Sequence, residues 1–129
     1  IPPLKDALTG RENLRFVSAL RASPETGGRE GAIGAALAEV GADEFADRPI
    51  RSLSTGQRRR IALAALPLSH APLWILDEPI ANLDVAGQAV VASLIARQLE
   101  RGGSVIAATH QELGLPPSSR DELVLGAGR

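Results

Sequence analysis

The sequence predicts an α/β fold in which a helical first part precedes a parallel sheet. Apolar residues recur at helical spacing through the first half of the 129 residues, whereas residues 73–76 and 104–109 are short, continuous apolar runs. A segment with helical spacing, residues 85–101, separates the two runs. Because strand–helix–strand units join parallel strands by right-handed crossovers, we expect two parts: a helical one at residues 1–66 and a sheet-containing one at residues 67–129.

Two helices are predicted before the first motif. Residues 9–12, Thr-Gly-Arg-Glu, fit a capping box, in which the threonine hydroxyl and the glutamate carboxylate accept hydrogen bonds from backbone N–H groups. Apolar residues then keep helical spacing to about Leu20. After a break rich in Pro and Gly at residues 23–28, the alanine-rich residues 30–40 predict a second helix that stops at Gly41.

A third helix is predicted for residues 57–66, which are mostly strong helix formers, and Pro67 ends or kinks it. The pattern then changes. The apolar run at residues 73–76 lies between Pro72 and Asp77, as expected of a strand buried on both faces. The change from helical spacing to a continuous apolar run sets the predicted boundary between the two parts after residue 66.

The second part continues with one helix and further strands. Residues 85–101 carry their large apolar residues on one side, and Gly102-Gly103 closes the helix. Residues 104–109 predict a second buried strand, and residues 123–125 predict a short last one. The carboxyl ends of the two main strands should then lie at one edge of the sheet, where ligands bind in open α/β folds.

Composition narrows the function classes. The formal net charge of −1 does not indicate a nucleic-acid footprint, so no nucleic-acid partner is expected. The absence of cysteine excludes disulfides and cysteine-based zinc sites. No apolar run reaches the roughly 18 residues that a membrane-spanning helix needs. The three arginines at residues 58–60 are interpreted as a solvated helix face rather than a binding patch.

Two motifs suggest phosphate chemistry. Residues 53–57 read Leu-Ser-Thr-Gly-Gln, a turn that opens a helix and can offer backbone N–H groups to an anion. Residues 73–78 read Leu-Trp-Ile-Leu-Asp-Glu, a strand whose end offers one carboxylate for Mg²⁺ and a neighbouring general base. His110 follows the next strand, so that it and Glu78 are expected at the carboxyl edges of adjacent strands.

Each of these residues has a simpler interpretation when it is taken alone. Ser54 is a suitable helix N-cap, and Asp84 can cap the helix that begins near Val85. Asp77 and Glu78 could be two solvated acids at a strand end, and a single histidine after a strand is usually structural. Trp74 is interpreted as core packing rather than a base-stacking platform.

Taken together, four segments resemble, in order, the motifs of the ATP-binding cassette (ABC) ATPases. Residues 53–57 resemble the signature, 73–78 the Walker B motif, 79–84 the D-loop region, and Thr109-His110 the switch histidine. The sequence departs from the commonest signature at Thr55, where glycine is usual. The resemblance implies a partial P-loop NTPase fold: a helical signature subdomain followed by the C-terminal part of a RecA-like core.

The resemblance also implies a role for each site residue. Asp77 would hold Mg²⁺, Glu78 would polarise the attacking water, and His110 would contact the γ-phosphate of ATP. Asp84 would lie at a dimer interface. Four consecutive residues would contact the ATP that a second copy of the subunit holds: Ser54, Thr55, Gly56 and Gln57. ATP and Mg²⁺ are therefore the expected ligands.

A P-loop, G-x-x-x-x-G-K-[ST], is missing from the sequence. The one lysine is Lys5, and no glycine precedes it; methionine is absent as well. The simplest interpretation is the C-terminal part of an ABC ATPase. In that case the complete protein hydrolyses ATP, whereas this chain alone does not.

Several stretches are more narrowly similar to the ATPase subunit of cytochrome c maturation systems, long called heme exporters. They are residues 4–14, 57–64, 73–79 and 109–111. This likeness implies an integral membrane permease as partner, heme and a heme chaperone as indirect partners, and a peripheral location on the cytoplasmic face of the bacterial inner membrane. The alternatives are the ATPase of another ABC transporter, a DNA-repair or ribosome-associated ABC ATPase, and a non-catalytic remnant.

Overall fold

The computed structural model describes residues 3–20 and 29–116. Its elements follow in the order α1 (Gly10–Leu20), α2 (Arg29–Glu39), a 3₁₀ turn (Ile50–Ser52), α3 (Thr55–Leu68), β1 (Leu73–Asp77), α4 (Val85–Glu100) and β2 (Ser104–Ala108). This order confirms a helical first part followed by a strand–helix–strand unit. The strand predicted at residues 123–125 lies outside the described residues. In the described ranges, no helix is long and apolar enough to span a membrane.

Local sequence signals set the ends of the helices. At the start of α1, the Glu12 N–H donates to Thr9 Oγ1 and the Thr9 N–H donates to Glu12 Oε1, both at 3.1 Å, which confirms the capping box. After α2, Gly41 adopts a φ of 68°, and the Ala42 N–H donates to the Leu37 carbonyl at 2.8 Å. This left-handed closure is a Schellman motif, and it confirms Gly41 as the stop.

Helix α3 extends slightly beyond its predicted bounds. It begins at Thr55 and continues through Pro67 to Leu68, so the expected end at Leu66 was two residues short. Pro67 cannot donate to the Leu63 carbonyl four residues earlier, and α3 continues for only one residue beyond it. Ser69 then closes the helix, since its N–H and its hydroxyl both donate to the Leu66 carbonyl, at 3.1 and 2.7 Å.

The hydrophobic core is continuous from α1 to β2, and α3 lies at its centre. Helix α3 packs against α1, α2 and α4. Its Ile61 and Leu63 are almost fully buried, as are Leu14 of α1 and Leu37 of α2. Full burial of such a side chain contributes about 1.5–3 kcal/mol, and α3 connects the two predicted parts because it packs against α4 as well as α1 and α2.

The two strands form a parallel pair, with Leu73 opposite Ser104 and Asp77 opposite Ala108. The parallel arrangement is as predicted, but the expected burial of both sheet faces is wrong. Trp74 and Leu76 are 3% and 4% exposed, whereas Ile75 is 71% exposed. Leu73 and Ile106 are also exposed. Within the described ranges the helices cover one sheet face only, and Trp74 lies in the core on that face, as expected.

Candidate functional site

The side chains of Glu78 and His110 meet where the two strands end. Glu78 follows β1 directly, and His110 lies two residues after β2. His110 Nδ1 is 2.7 Å from Glu78 Oε1, which confirms the predicted adjacency. When Nδ1 carries the proton it donates to the carboxylate, and the second ring nitrogen then remains available as an acceptor. The His110 side chain is 78% exposed and that of Glu78 is 36% exposed, so the pair lies at an open edge.

The backbone of Glu78 has an unusual conformation, with a φ of 45°. A non-glycine residue in this left-handed region carries strain and keeps the conformation only where its surroundings impose it. The Glu78 N–H donates to the Ala108 carbonyl at 2.8 Å, and the Glu78 carbonyl accepts from the Ala81 N–H at 3.2 Å. The second carboxylate oxygen, Oε2, is buried and has no hydrogen-bond partner among the described residues.

Asp77, the last residue of β1, is exposed at the same edge. No group of three or more His, Cys, Asp and Glu side chains that could hold a metal ion occurs in the described part of the chain. Asp77 therefore offers a single carboxylate. That donor set fits Mg²⁺, which proteins commonly hold through one or two carboxylates, with water and substrate phosphates completing the shell.

The predicted signature forms the N-terminus of α3. Ser54 is its N-cap: Ser54 Oγ accepts from the Gln57 N–H at 3.1 Å, and Gln57 Oε1 accepts from the Ser54 N–H at 3.0 Å. The simpler interpretation of Ser54 is thus confirmed, and it leaves the hydroxyl proton free to donate elsewhere. Thr55 is exposed and Gly56 is partly exposed at this helix end, where the first N–H groups lack intrahelical acceptors.

The signature lies beside the segment that follows Glu78. A Cβ atom on Gly56 would be 3.4 Å from the Asn82 carbonyl oxygen, so the two segments nearly touch. Asp84 is the N-cap of α4, since its Oδ1 accepts from the Gly87 N–H at 2.8 Å and from Arg60 Nη2 at 3.3 Å. The Gly87 hydrogen bond, followed by the Arg60 guanidinium, holds the pKa of Asp84 below its ordinary value.

The interpretation of the arginines at residues 58–60 as a solvated face was wrong. Each guanidinium donates to the backbone of a neighbouring loop. Arg58 Nε lies 3.2 Å from the carbonyls of Ile50 and Leu53, and Arg60 Nη1 lies 3.1 Å from that of Val40. Arg59 contacts the carbonyl of Glu78. These contacts could not be predicted from a local sequence pattern. Their acceptors are backbone carbonyls of other segments, which lie near the arginines only in the folded chain.

Comparisons with known proteins show which family the chain is similar to. A model of the ABC transporter family matches residues 2–81. The cytochrome c biogenesis ATP-binding export protein CcmA of Pseudomonas putida (strain GB-1) is 47% identical over 123 residues, which cover 95% of this chain and 57% of the relative. CcmA of Bartonella quintana (strain Toulouse) is 42% identical over 117 residues, which cover 91% and 54%.

Solved structures give the same match at the level of the fold. A dimeric post-hydrolysis state of the ATP-binding cassette MJ0796, bound to ADP and Pi, superposes with a TM-score of 0.74 at 25% identity. The match covers 84% of this chain and 48% of the cassette. The chain therefore spans about half the length of the relatives and structures that it matches.

Proposed function

Because the chain belongs to the ABC transporter family, we propose that it supplies the signature, Walker B, D-loop and switch segments of an ATP-hydrolysing site. One observation carries the proposal. The Glu78 carboxylate lies 2.7 Å from His110 at the carboxyl ends of adjacent parallel strands, beside the N-terminus of α3. A base and an orienting imidazole are two of the parts that phosphoryl transfer to water uses, and an anion-binding helix end is a third, which here would serve the ATP of a second copy.

In the proposed reaction, Glu78 accepts the proton of the attacking water. A positioned general base of this kind contributes about 10²–10⁴-fold to a rate. In the form that carries both ring protons, His110 holds one carboxylate oxygen by its Nδ1–H and would donate its second N–H to the γ-phosphate. The strained backbone of Glu78 supports this role, since such strain is concentrated at functional sites.

Asp77 is the proposed holder of Mg²⁺. The metal would neutralise charge on the phosphate oxygens, and the exposed carboxylate of Asp77 suits it. Because the Glu78 carboxylate is engaged with His110, Asp77 is assigned to the metal and Glu78 to the water.

The signature residues are proposed to act on the ATP that a second copy of the subunit holds. The Ser54 hydroxyl, the free N–H groups near Thr55 and Gly56, and the positive end of the α3 dipole all favour a phosphate. Gln57 holds Ser54 in place through the capping box. Asp84, on the segment beside Gly56, would lie at the interface between the two copies.

An assay of phosphate release tests this function on the complete protein that the gene encodes, alone and with its membrane partner. We expect saturable hydrolysis of ATP that requires Mg²⁺. Asp77→Asn should raise the Mg²⁺ concentration needed for half-maximal rate, because it removes a carboxylate from the metal. No Mg²⁺-dependent hydrolysis under either condition would exclude the proposal.

We further propose that the complete ATPase serves cytochrome c biogenesis. It would sit as a pair of subunits against an integral permease on the cytoplasmic face of the bacterial inner membrane, and act on heme and its chaperone indirectly. Identities of 42% and 47% to proteins named for cytochrome c biogenesis support this assignment.

Deletion of the gene, followed by heme staining of membrane proteins, separates this system from other transporters. Loss of every c-type cytochrome with b-type cytochromes retained is the expected result, and the intact gene should restore them. Normal c-type cytochromes, in a host without a second copy of the gene, would mean that the ATPase powers a different process.

A further inference from the structure

One arginine joins the signature helix to the backbone of the two acidic residues. Arg59 Nη2, on α3, donates to the Glu78 carbonyl at 2.9 Å and lies 3.5 Å from the Asp77 carbonyl. Its Nε is buried and has no hydrogen-bond partner in the described part of the chain. Neighbouring arginines of the same run contact other loops, and Arg59 is the member that reaches Glu78.

The contact matters because it falls on the strained residue. With a φ of 45°, the Glu78 peptide needs partners on both sides to keep its conformation. Its N–H is held by the Ala108 carbonyl and its carbonyl oxygen by the Ala81 N–H. That oxygen has two lone pairs, and Arg59 fills the second with a hydrogen bond strengthened by its charge.

We propose that Arg59 is a positioning residue for Glu78. Arg59 fixes the backbone of Glu78 and so keeps its carboxylate beside His110, where it can accept the proton of the attacking water. It also makes the position of the base depend on α3, whose N-terminus carries the signature. When the signature closes on a phosphate and α3 moves, the Arg59 side chain would therefore move the backbone of Glu78 and change the position of its carboxylate. The inference rests on the proposed hydrolytic function of Glu78.

The test compares Arg59→Ala, Arg59→Lys and the control Arg15→Ala in the complete protein. Arg15, in the middle of α1, pairs with Glu30 on an exposed surface, so its loss removes an arginine without removing a contact to Asp77 or Glu78. We expect kcat to fall by about 10- to 10²-fold in Arg59→Ala, as for a small misplacement of a reacting group, with KM for ATP unchanged. Arg59→Lys should recover most of the rate, since a single donor suffices.

A second comparison separates positioning of the base from general damage. In the Glu78→Gln background there is no base to position, so Arg59→Ala should cause no further loss of single-turnover hydrolysis. An equal fold-loss in both backgrounds would overturn the inference, as would a parental kcat for Arg59→Ala. If instead the parent and Glu78→Gln hydrolyse ATP equally, the proposed function itself fails.

Amide hydrogen exchange supplies a readout that does not depend on activity. The Glu78 N–H bonded to Ala108 should exchange faster in Arg59→Ala than in the parent and at nearly the parental rate in Arg59→Lys, while Arg15→Ala leaves it unchanged. Protection of the Glu78 amide that is the same in Arg59→Ala and the parent would show that Arg59 does not hold this peptide.

Discussion

Glu78 and Asn82 have positive φ values of 45° and 64°, and they bracket the short turn between β1 and Asp84. Asparagine tolerates this region through its short polar side chain, whereas glutamate does so rarely. The chain therefore bends back sharply after β1, which brings the Asn82 carbonyl against Gly56 and sets Asp84 at the start of α4. Single backbone conformations thus determine which motifs meet.

A prediction at this scale concerns acid stability through Asp84. Its pKa is lowered in the folded protein, mainly by the Gly87 N–H, so its contribution is present above the unfolded pKa and disappears as the pH falls through the folded value. Asp84→Asn still caps α4 but cannot ionise. As the pH falls below about 4, the ordinary pKa of an aspartate, we expect the denaturation midpoint to fall less steeply with pH in this variant than in the parent.

The control for this measurement is Asp43→Asn, an exposed position in the loop after α2, which changes the net charge by the same amount. It should keep the parental pH dependence. If Asp84→Asn and the parent lose stability in parallel through this range, the cap carboxylate does not contribute to acid stability.

At the scale of elements, α4 is fixed at both ends by specific contacts. Its C-terminus closes at Gly102, with a φ of 81°, while the Gly103 N–H donates to the Gln98 carbonyl at 2.9 Å. The Gln98 side chain is buried, and its Nε2 donates to the carbonyls of Ala71 and Pro72 at 2.9 and 3.2 Å. One amide therefore anchors α4 to the loop that leads into β1.

Gln98→Leu should lower the free energy of unfolding by about 1–3 kcal/mol, the usual cost of leaving a buried polar group without its partner. The Ala71 carbonyl would lose its hydrogen bond from Gln98 Nε2. The Pro72 carbonyl would still accept from the Ser104 N–H. Glu100→Gln, on the exposed side of the same helix, should stay within about 0.5 kcal/mol of the parent. Chemical denaturation measures the free energy of unfolding of the parent and the two variants. If Gln98→Leu unfolds with the parental free energy, the Gln98 side chain does not contribute to stability.

Elements whose signals are local could be predicted from the sequence. The capping box of α1, the stops at Gly41 and Gly102, and the adjacency of Glu78 and His110 all follow from short patterns or from strand order. The exposed sheet face at Ile75 could not be predicted. A continuous apolar run indicates that both faces of a strand are suited to burial, but it does not show which segments pack on each face. The contacts of Arg59 were also hidden, since they depend on how α3 packs beside β1.

At the scale of the whole molecule, the described residues gather three elements at one edge: the N-terminus of α3, the end of β1 and the end of β2. Ser54 and Thr55 at the α3 N-terminus are exposed, so a phosphate from outside this chain can reach them. We propose that each ATP lies between the signature of one subunit and the phosphate-binding loop of the other.

Mixing of variant subunits tests the composite arrangement in the complete protein. Gly56→Asp places a carboxylate at the signature, where it would repel a phosphate. Homodimers of this variant, and homodimers with a disabled phosphate-binding lysine, should both be inactive. Their mixture should regain part of the activity, because one intact site forms in the heterodimer, provided one site suffices. Intact activity in Gly56→Asp homodimers would refute the role of the signature.

The most direct measurement of the central claim is hydrolysis by Glu78→Gln in the complete protein. Glutamine keeps the shape and hydrogen-bonding capacity of the side chain but removes the base. Phosphate release should fall by roughly 10²-fold or more, while ATP still binds and the subunits accumulate as an ATP-bound dimer on size-exclusion chromatography. Hydrolysis at the parental rate would mean that Glu78 is not the base and would contradict the account.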